Sequence, residues 1–428
     1  MKKKITAAKA MRTMAVLTLA TTMGVATSCK KEGCTDASAT NYDEKAKDDD
    51  GSCEYASETI TGEITANTTW TTGNTYVLNG RVTVKSGVTL TIEPGVVVKG
   101  KNGTGASASV LLVARGGKLI ANGTATMPII FTAESDQITP ADIAAGNYAS
   151  PNLLTTTSGL WGGVIICGNA KGSFAAGTEQ QVEGIPASDT NGLYGGSDDA
   201  DNSGSITYVS IRHSGIDLAA GNEIQGLTLA AVGSNTTVNN VEIVGNNDDG
   251  IEFFGGTVNV SNVVIWNVLD DGLDTDCGFS GDVSNFFLIG SFGGSPFELD
   301  GPEGTPLTNG NHTFMNGTVN HTSIVDHLLD VDGGSSATNV DLSNIYFNSI
   351  DNNNNRVADY AVWTAAMGGT MSNFQYTFVD SVTNGLKEDT VFMDMPNSIT
   401  TSVAAGSNTV GATNTGFGWT WANQAGAL

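Results

Sequence analysis

Val238-Asn239-Asn240-Val241-Glu242-Ile243 is followed by Val260-Ser261-Asn262-Val263-Val264-Ile265 and by Val283-Ser284-Asn285-Phe286-Phe287-Leu288. The same phrase, Asn inside a short apolar-alternating run, returns as Phe314-Met315-Asn316-Gly317-Thr318-Val319, Leu342-Ser343-Asn344-Ile345-Tyr346-Phe347 and Met371-Ser372-Asn373-Phe374-Gln375-Tyr376. Its asparagines stand 22, 23, 31, 28 and 29 residues apart. A variable period of about 20–30 residues, built from short strands, is the pattern of a solenoid whose coils bury their apolar faces against one another. The asparagines then predict a ladder at one corner, each amide satisfying the next.

A second series runs beside the first: Gly226-Leu227-Thr228-Leu229, Gly250-Ile251-Glu252-Phe253, Gly272-Leu273-Asp274-Thr275, Pro296-Phe297-Glu298-Leu299 and Leu328-Leu329-Asp330-Val331. One coil per repeat aligns Glu252, Asp274, Glu298 and Asp330 on one face. Upstream, Val82-Thr83-Val84, Val88-Thr89-Leu90-Thr91-Ile92 and Val96-Val97-Val98 alternate between Lys-Ser-Gly and Glu-Pro-Gly corners, with Trp161-Gly162-Gly163-Val164-Ile165-Ile166 as a later coil. Residues 136–159 and 168–204 break the rhythm and read as loops projecting from the corners. Residues 416–428, with Trp419 and Trp421, are expected to cap the last coil. The upstream phrases resemble the opening coils of the pectate-lyase-like superfamily. That resemblance implies an all-β fold, a right-handed single-stranded parallel β-helix with long loop insertions, over residues 60–428.

The chain opens with Lys2, Lys3, Lys4, Lys9 and Arg12 ahead of an apolar run from Met14 to Val25, too short to span a bilayer. Ala26-Thr27-Ser28-Cys29 resembles a bacterial lipobox, which implies a signal peptide over 1–28 and lipidation of Cys29. Residues 29–59 then form a tether. Within it, Cys34 and Cys53 bracket an acidic loop and suggest a disulfide, worth on the order of 3 kcal/mol in an exported protein. Its carboxylates suit calcium or simple solvation. The stretch resembles a short cysteine-bounded acidic module of surface proteins of diderm bacteria. The other two cysteines, Cys167 and Cys277, read as packed thiols.

The formal net charge is −25. Between Gly172 and Leu428, 30 Asp and Glu face three cations, Arg212, Arg356 and Lys387. Such a chain repels nucleic acid and anionic lipid and attracts divalent cations. Asn246-Asn247-Asp248-Asp249-Gly250 and Asp270-Asp271-Gly272-Leu273-Asp274-Thr275-Asp276 are 22 residues apart and fall on adjacent coils about 4.8 Å apart. With Asp198, Asp199 and Asp201 in the second loop, these are the candidate metal ligands, calcium being the expected cation. The plainer alternative is Asx turns at tight corners.

Glu252, Glu298, Phe254 and Trp266 combine carboxylates with aromatic plates and are candidates for holding a glycan. In Phe253-Phe254 and Phe286-Phe287, alternation sends one ring outward, onto a groove or beneath a loop. Trp363 is a further candidate aromatic. A lyase would need a base and a cationic clamp, for which Arg212 beside His213 is one pair. A hydrolase would need paired carboxylates, which the Asp248–Asp276 patch supplies. His312, His321 and His327 lack such neighbours and read as corner residues. The alternatives are therefore a calcium-dependent lyase or hydrolase, and a structural surface component.

Val182-Glu183-Gly184-Ile185-Pro186, Leu193-Tyr194-Gly195-Gly196 and Asp248-Asp249-Gly250-Ile251-Glu252-Phe253-Phe254-Gly255-Gly256, together with the closing Trp419-Thr420-Trp421-Ala422, resemble a family of bacterial outer-membrane lipoproteins with β-helix character. The resemblance implies lipid-anchored display at the cell surface and supplies no catalytic residues. The expected function is non-enzymatic binding to a glycan or matrix component, stabilised by calcium.

Overall fold

The computed structural model describes residues 31–35, 39–53, 56–216, 224–305, 312–331, 340–350, 369–378, 391–392, 395 and 398–428. The leader, Cys29, Arg356, Trp363 and Lys387 lie outside the described residues. Strands of successive coils pair in parallel and build three columns. The first passes through Thr68–Trp70, Thr89–Ile92 and Lys118–Asn122 into the start of Gly204–Arg212. The second passes through Val97–Gly100 and Ile129–Ala133 into the end of that strand. From there Thr237–Asn246, Val260–Val268, Asp282–Phe292, His312–Ile324 and Val340–Ile350 each serve both columns. The third column stacks Val110–Val113, Val164–Cys167, Leu227–Ala230, Ile251–Phe254, Leu273–Asp276, Phe297–Leu299 and Asp330–Val331. This is the solenoid expected from the repeats, and it is the right-handed parallel β-helix that the resemblance of the upstream coils implied. No helix among the described residues is long and apolar enough to cross a membrane.

The bend between the first two columns falls on the repeated asparagine. Asn240, Asn262, Asn285, Asn316, Asn344 and Asn373 hold φ between 54° and 58°, the left-handed region that Asn tolerates better than other side-chain-bearing residues. The ladder is present in segments. Asn285 Nδ2 donates to Asn262 Oδ1 (2.6 Å), Asn344 to Asn316 (3.0 Å) and Asn373 to Asn344 (2.7 Å). Asn262 donates instead to Asn239 Oδ1 (2.8 Å). Only Asn240 among the six is buried; the others sit at a partly wet edge.

Inward side chains from all three columns form one continuous core, from Ile64 and Trp70 through Phe253, Phe286 and Phe297 to Phe374 and Tyr376. The outward faces are covered as well, and here the structure departs from expectation. Residues 136–159 do not project: Ile138, Ile143 and Tyr148 lie down on Val97 and Ile130. Residues 168–204 form a flap whose Phe174, Val182, Ile185 and Tyr194 cover Val110, Leu112, Ile165, Ala230 and Phe254 on the third column.

The C-terminal residues do not cap the end of the stack. They run back along the second column, coil by coil. Thr409 N–H donates to Gln375, Gly411 N–H to the Asn344 carbonyl, Ala412 N–H to Thr318 Oγ1, Thr413 N–H to Asn285 Oδ1 and Ala422 N–H to Glu242 Oε1, at 2.7–3.1 Å. Phe417 packs on Phe287, and Trp419 on Tyr208. The physical reason is that Val264, Phe287 and Ile289 point outward from this column and need an apolar cover, which Phe417 and Ala422 supply.

In the N-terminal module Cys34 and Cys53 are disulfide-bonded, as expected. Asp49 and Asp50 accept from the N–H groups of Gly51 and Ser52. Those two aspartates are thus turn formers.

Candidate metal centre on the third column

The corner leading from the second column into the third carries Asp248-Asp249-Gly250 on one coil and Asp270-Asp271-Gly272 on the next. Their glycines are required by packing. A Cβ on Gly250 would stand 2.6 Å from the Gly272 carbonyl oxygen, and one on Gly272 2.6 Å from that of Pro296. Gly250 N–H donates to the Asp271 carbonyl and Gly272 N–H to that of Ser295, so successive corners are locked in register.

That lock carries the aspartates into the stack beyond. Glu252 lies opposite Asp274, Asp274 opposite Glu298, and Glu298 opposite Asp330, the alignment expected from the repeats. Ile251 and Phe253 point into the core while Glu252 and Phe254 face out, yet both outward residues are buried, at 5 % and 8 % exposure. Asp249, Asp271 and Asp274 are buried too. Asp249, Glu252 and Asp274 bring one oxygen each within 4.8 Å of one another, and so do Asp248, Asp249 and Asp270.

No Lys or Arg among the described residues forms an ion pair with these acids. Burial, and then the neighbouring carboxylates, push Asp249, Glu252, Asp271 and Asp274 well above the usual carboxylate range, and burial raises Glu298. The Glu252 and Asp274 carboxyls are close neighbours, as are those of Asp271 and Glu298, so within each pair the two groups do not ionise independently. Backbone donors help in part, the Asp271 N–H reaching Asp249 Oδ1 (2.9 Å) and the Ser295 N–H reaching Asp271. Gln225 Nε2 donates to Asp248 Oδ2 (3.2 Å). Glu252 Oε2 is buried with no hydrogen-bond donor. A hard divalent cation, which takes six to eight oxygens, matches this all-carboxylate set and its orphaned oxygen.

The remaining candidates are placed differently. Asp199 pairs with Lys171 (2.5 Å), Asp198 accepts from Ala200 N–H and Asp201 from Ser203 Oγ. These three are not in either acidic grouping of the third column. Asp276 faces out beside the stack, its carboxylate bonded to the Cys277 N–H and thiol. Trp266 is half-buried against Trp421, on the second column and away from the acids. Phe254 lies beneath Tyr194. Cys167 and Cys277 are free, buried thiols, Cys167 pushed up to about 12 by burial.

Arg212 and His213 are fully buried. Arg212 pairs with Glu242 (3.4 Å), its guanidinium carbon lies 5.1 Å from the Trp421 ring centre, and His213 Nδ1 meets the Thr157 carbonyl (2.7 Å). They hold the tail and first loop in place. His312 and His321 are strand residues, not corner residues, and both are buried. His327 does sit at a corner. Its Nδ1 lies 2.8 Å from Asp326 and 3.3 Å from Asp330, a third grouping that sequence reasoning passed over. The available signal was position, since Asp326-His327 follows the second column as Asp248-Asp249 and Asp270-Asp271 do.

Three parallel columns, a left-handed Asn corner and a stacked outer face agree with what comparison with protein families finds. A family described as pectate-lyase-like beta helix domain matches residues 62–424. The chain belongs to that family. No curated protein and no solved structure matches it. Within this β-helix domain, the third column is the face where acids, flap and corner loops converge.

Proposed function

We propose that this β-helix is a non-catalytic, surface-displayed module that holds calcium on its third column and binds a neutral glycan or matrix component. The observation that carries the cation is the stack of buried Asp249, Glu252, Asp271 and Asp274, with half-buried Glu298 beside them, facing no basic counter-charge among the described residues. Three such acids cannot ionise together unless a cation joins them. Asp249, Glu252 and Asp274 would be the central ligands, with Asp248 and Asp270 at the outer edge. Calcium there would cross-link adjacent coils. Display at the outer membrane rests on the leader and the lipobox-like Ala26-Thr27-Ser28-Cys29, with Cys29 as the lipidated residue.

Burial of the same acids favours binding over catalysis at the Asp248–Asp276 patch, because Asp249, Glu252, Asp271 and Asp274 present almost no surface to a sugar chain. The pair once eligible as base and clamp, Arg212 and His213, is enclosed by the tail.

The test is calorimetric titration of calcium into the chelator-treated protein, followed in parallel by melting temperature. Saturation at one hundred times Kd should add about 2.7 kcal/mol of stability. Glu252→Gln should weaken binding at least tenfold. Absence of heat and of any thermal shift would refute the metal reading. Release of reducing ends or unsaturated sugars from polysaccharide, lost in Asp271→Asn, would overturn the non-catalytic one.

A further inference from the structure

Between the flap and the third column lies a cavity of about 630 Å³. This size falls in the range of small-molecule sites. Its floor is Val110 and Phe254, its roof includes Gln180, Glu183 and Ile185, and Arg81 forms a side wall. We infer that this cavity is a binding site for the end of a short neutral saccharide. The inference rests on the glycan half of the proposed function and gives it a location.

The rim is built to hold its shape. Gln180–Gln181 pairs antiparallel with Leu193–Tyr194, closing the flap on itself. The Gln181 amide nitrogen, turned into the flap, lies within 3.3 Å of the carbonyls of Ile185, Pro186 and Asp189. Arg81 pairs with Asp189 (2.6 Å) and Arg115 with Glu179 (2.6 Å), tying both limbs of the flap to the coils. A cavity that is already formed needs little ordering when a ligand enters.

The lining chemistry selects the ligand class. An apolar floor faces the C–H surface of a sugar ring, while the Gln180 amide and the Glu183 carboxylate offer donors and acceptors to hydroxyls. An anionic sugar is disfavoured for two reasons. Arg81, the cation on the wall, is already engaged by Asp189. Glu183 itself lines the cavity and brings a carboxylate to its roof. A uronate would meet repulsion from that carboxylate without an unengaged Arg81 to offset it.

Ala187 lines the cavity and is exposed, so Ala187→Trp would fill the space without disturbing the core. The experiment is saturation-transfer NMR on the purified full chain with cellotriose, mannotriose, xylotriose and trigalacturonate. Hydrogen exchange over residues 180–187 is followed with the best binder. The expected result is saturable binding of at least one neutral trisaccharide, slowed exchange in the flap, and at least tenfold weaker binding to Ala187→Trp at unchanged melting temperature. Neutral-sugar binding that Ala187→Trp leaves intact, without flap protection, would overturn this site while sparing the glycan reading. Binding of trigalacturonate alone would overturn the neutral class. Binding of none of the four would overturn the site and the glycan reading with it, leaving the calcium test independent.

Discussion

Asn262 has two tasks at its corner. It holds φ at 57°, and its side chain links Asn239 of the coil before to Asn285 of the coil after. Ala at this position would lose both, at about 1–2 kcal/mol for the backbone alone. Gly would lose only the amide bonds. Chemical denaturation should therefore rank wild type above Asn262→Gly and Asn262→Ala lowest; equal midpoints would mean the ladder contributes nothing. Glu242 is the sharper case. It accepts from Ser210 Oγ, Arg212 and the Ala422 N–H, all buried. Glu242→Ala would leave Arg212 enclosed without its ion-pair partner and should cost about 3–5 kcal/mol, read by the same denaturation. The Asn ladder was legible in the sequence because its spacing repeats. The Arg212–Glu242 pair was not, since Trp421, which encloses it, lies some 200 residues away in the chain.

Among elements, the contrast is between strands and covers. Strand order and the alignment of Glu252, Asp274 and Glu298 follow from one fixed rule, that each coil stacks directly on the last. The flap, the first loop and the tail obey no period. Their positions depend on which outward side chains are apolar, and alternation marks those positions only as facing away from the core. Phe253-Phe254 and Phe286-Phe287 did signal it: one ring of each pair had to be covered from outside, and Tyr194 and Phe417 do so. Removing residues 416–428 would uncover Phe287 and Ile289 and strip about 2 kcal/mol per buried aromatic side chain. The truncated protein should melt several degrees lower and expose Trp266 to acrylamide quenching. Unchanged quenching would show that the tail does not shield that face.

For the whole molecule, the acidic stack sets a pH dependence opposite to that of most salt-bridged proteins. Asp249, Glu252, Asp271 and Asp274 have raised folded-state values, so above about pH 4 the native state holds protons that the unfolded chain has lost. Stability then falls as pH rises, by about 1.4 kcal/mol per pH unit for each such group, until the group ionises in the native state as well. The metal-free protein should melt higher at pH 5 than at pH 8. Saturating calcium should flatten that difference, because ligating carboxylates are already deprotonated. A chelator-treated protein that melts higher at pH 8 would contradict the buried-acid assignment.

The backward-running tail also bears on when the molecule becomes finished. A plain solenoid can consolidate coil by coil as it is made, each new coil resting on the one before. Here Trp419 and Trp421 are made after the coils they cover, yet dock beside Tyr208 and His213, close to the first loop. Those early coils keep an open flank until the tail has been made. A nascent chain stalled anywhere before residue 417 would present that flank to chaperones and proteases, so arrival of the tail is itself registered in the fold.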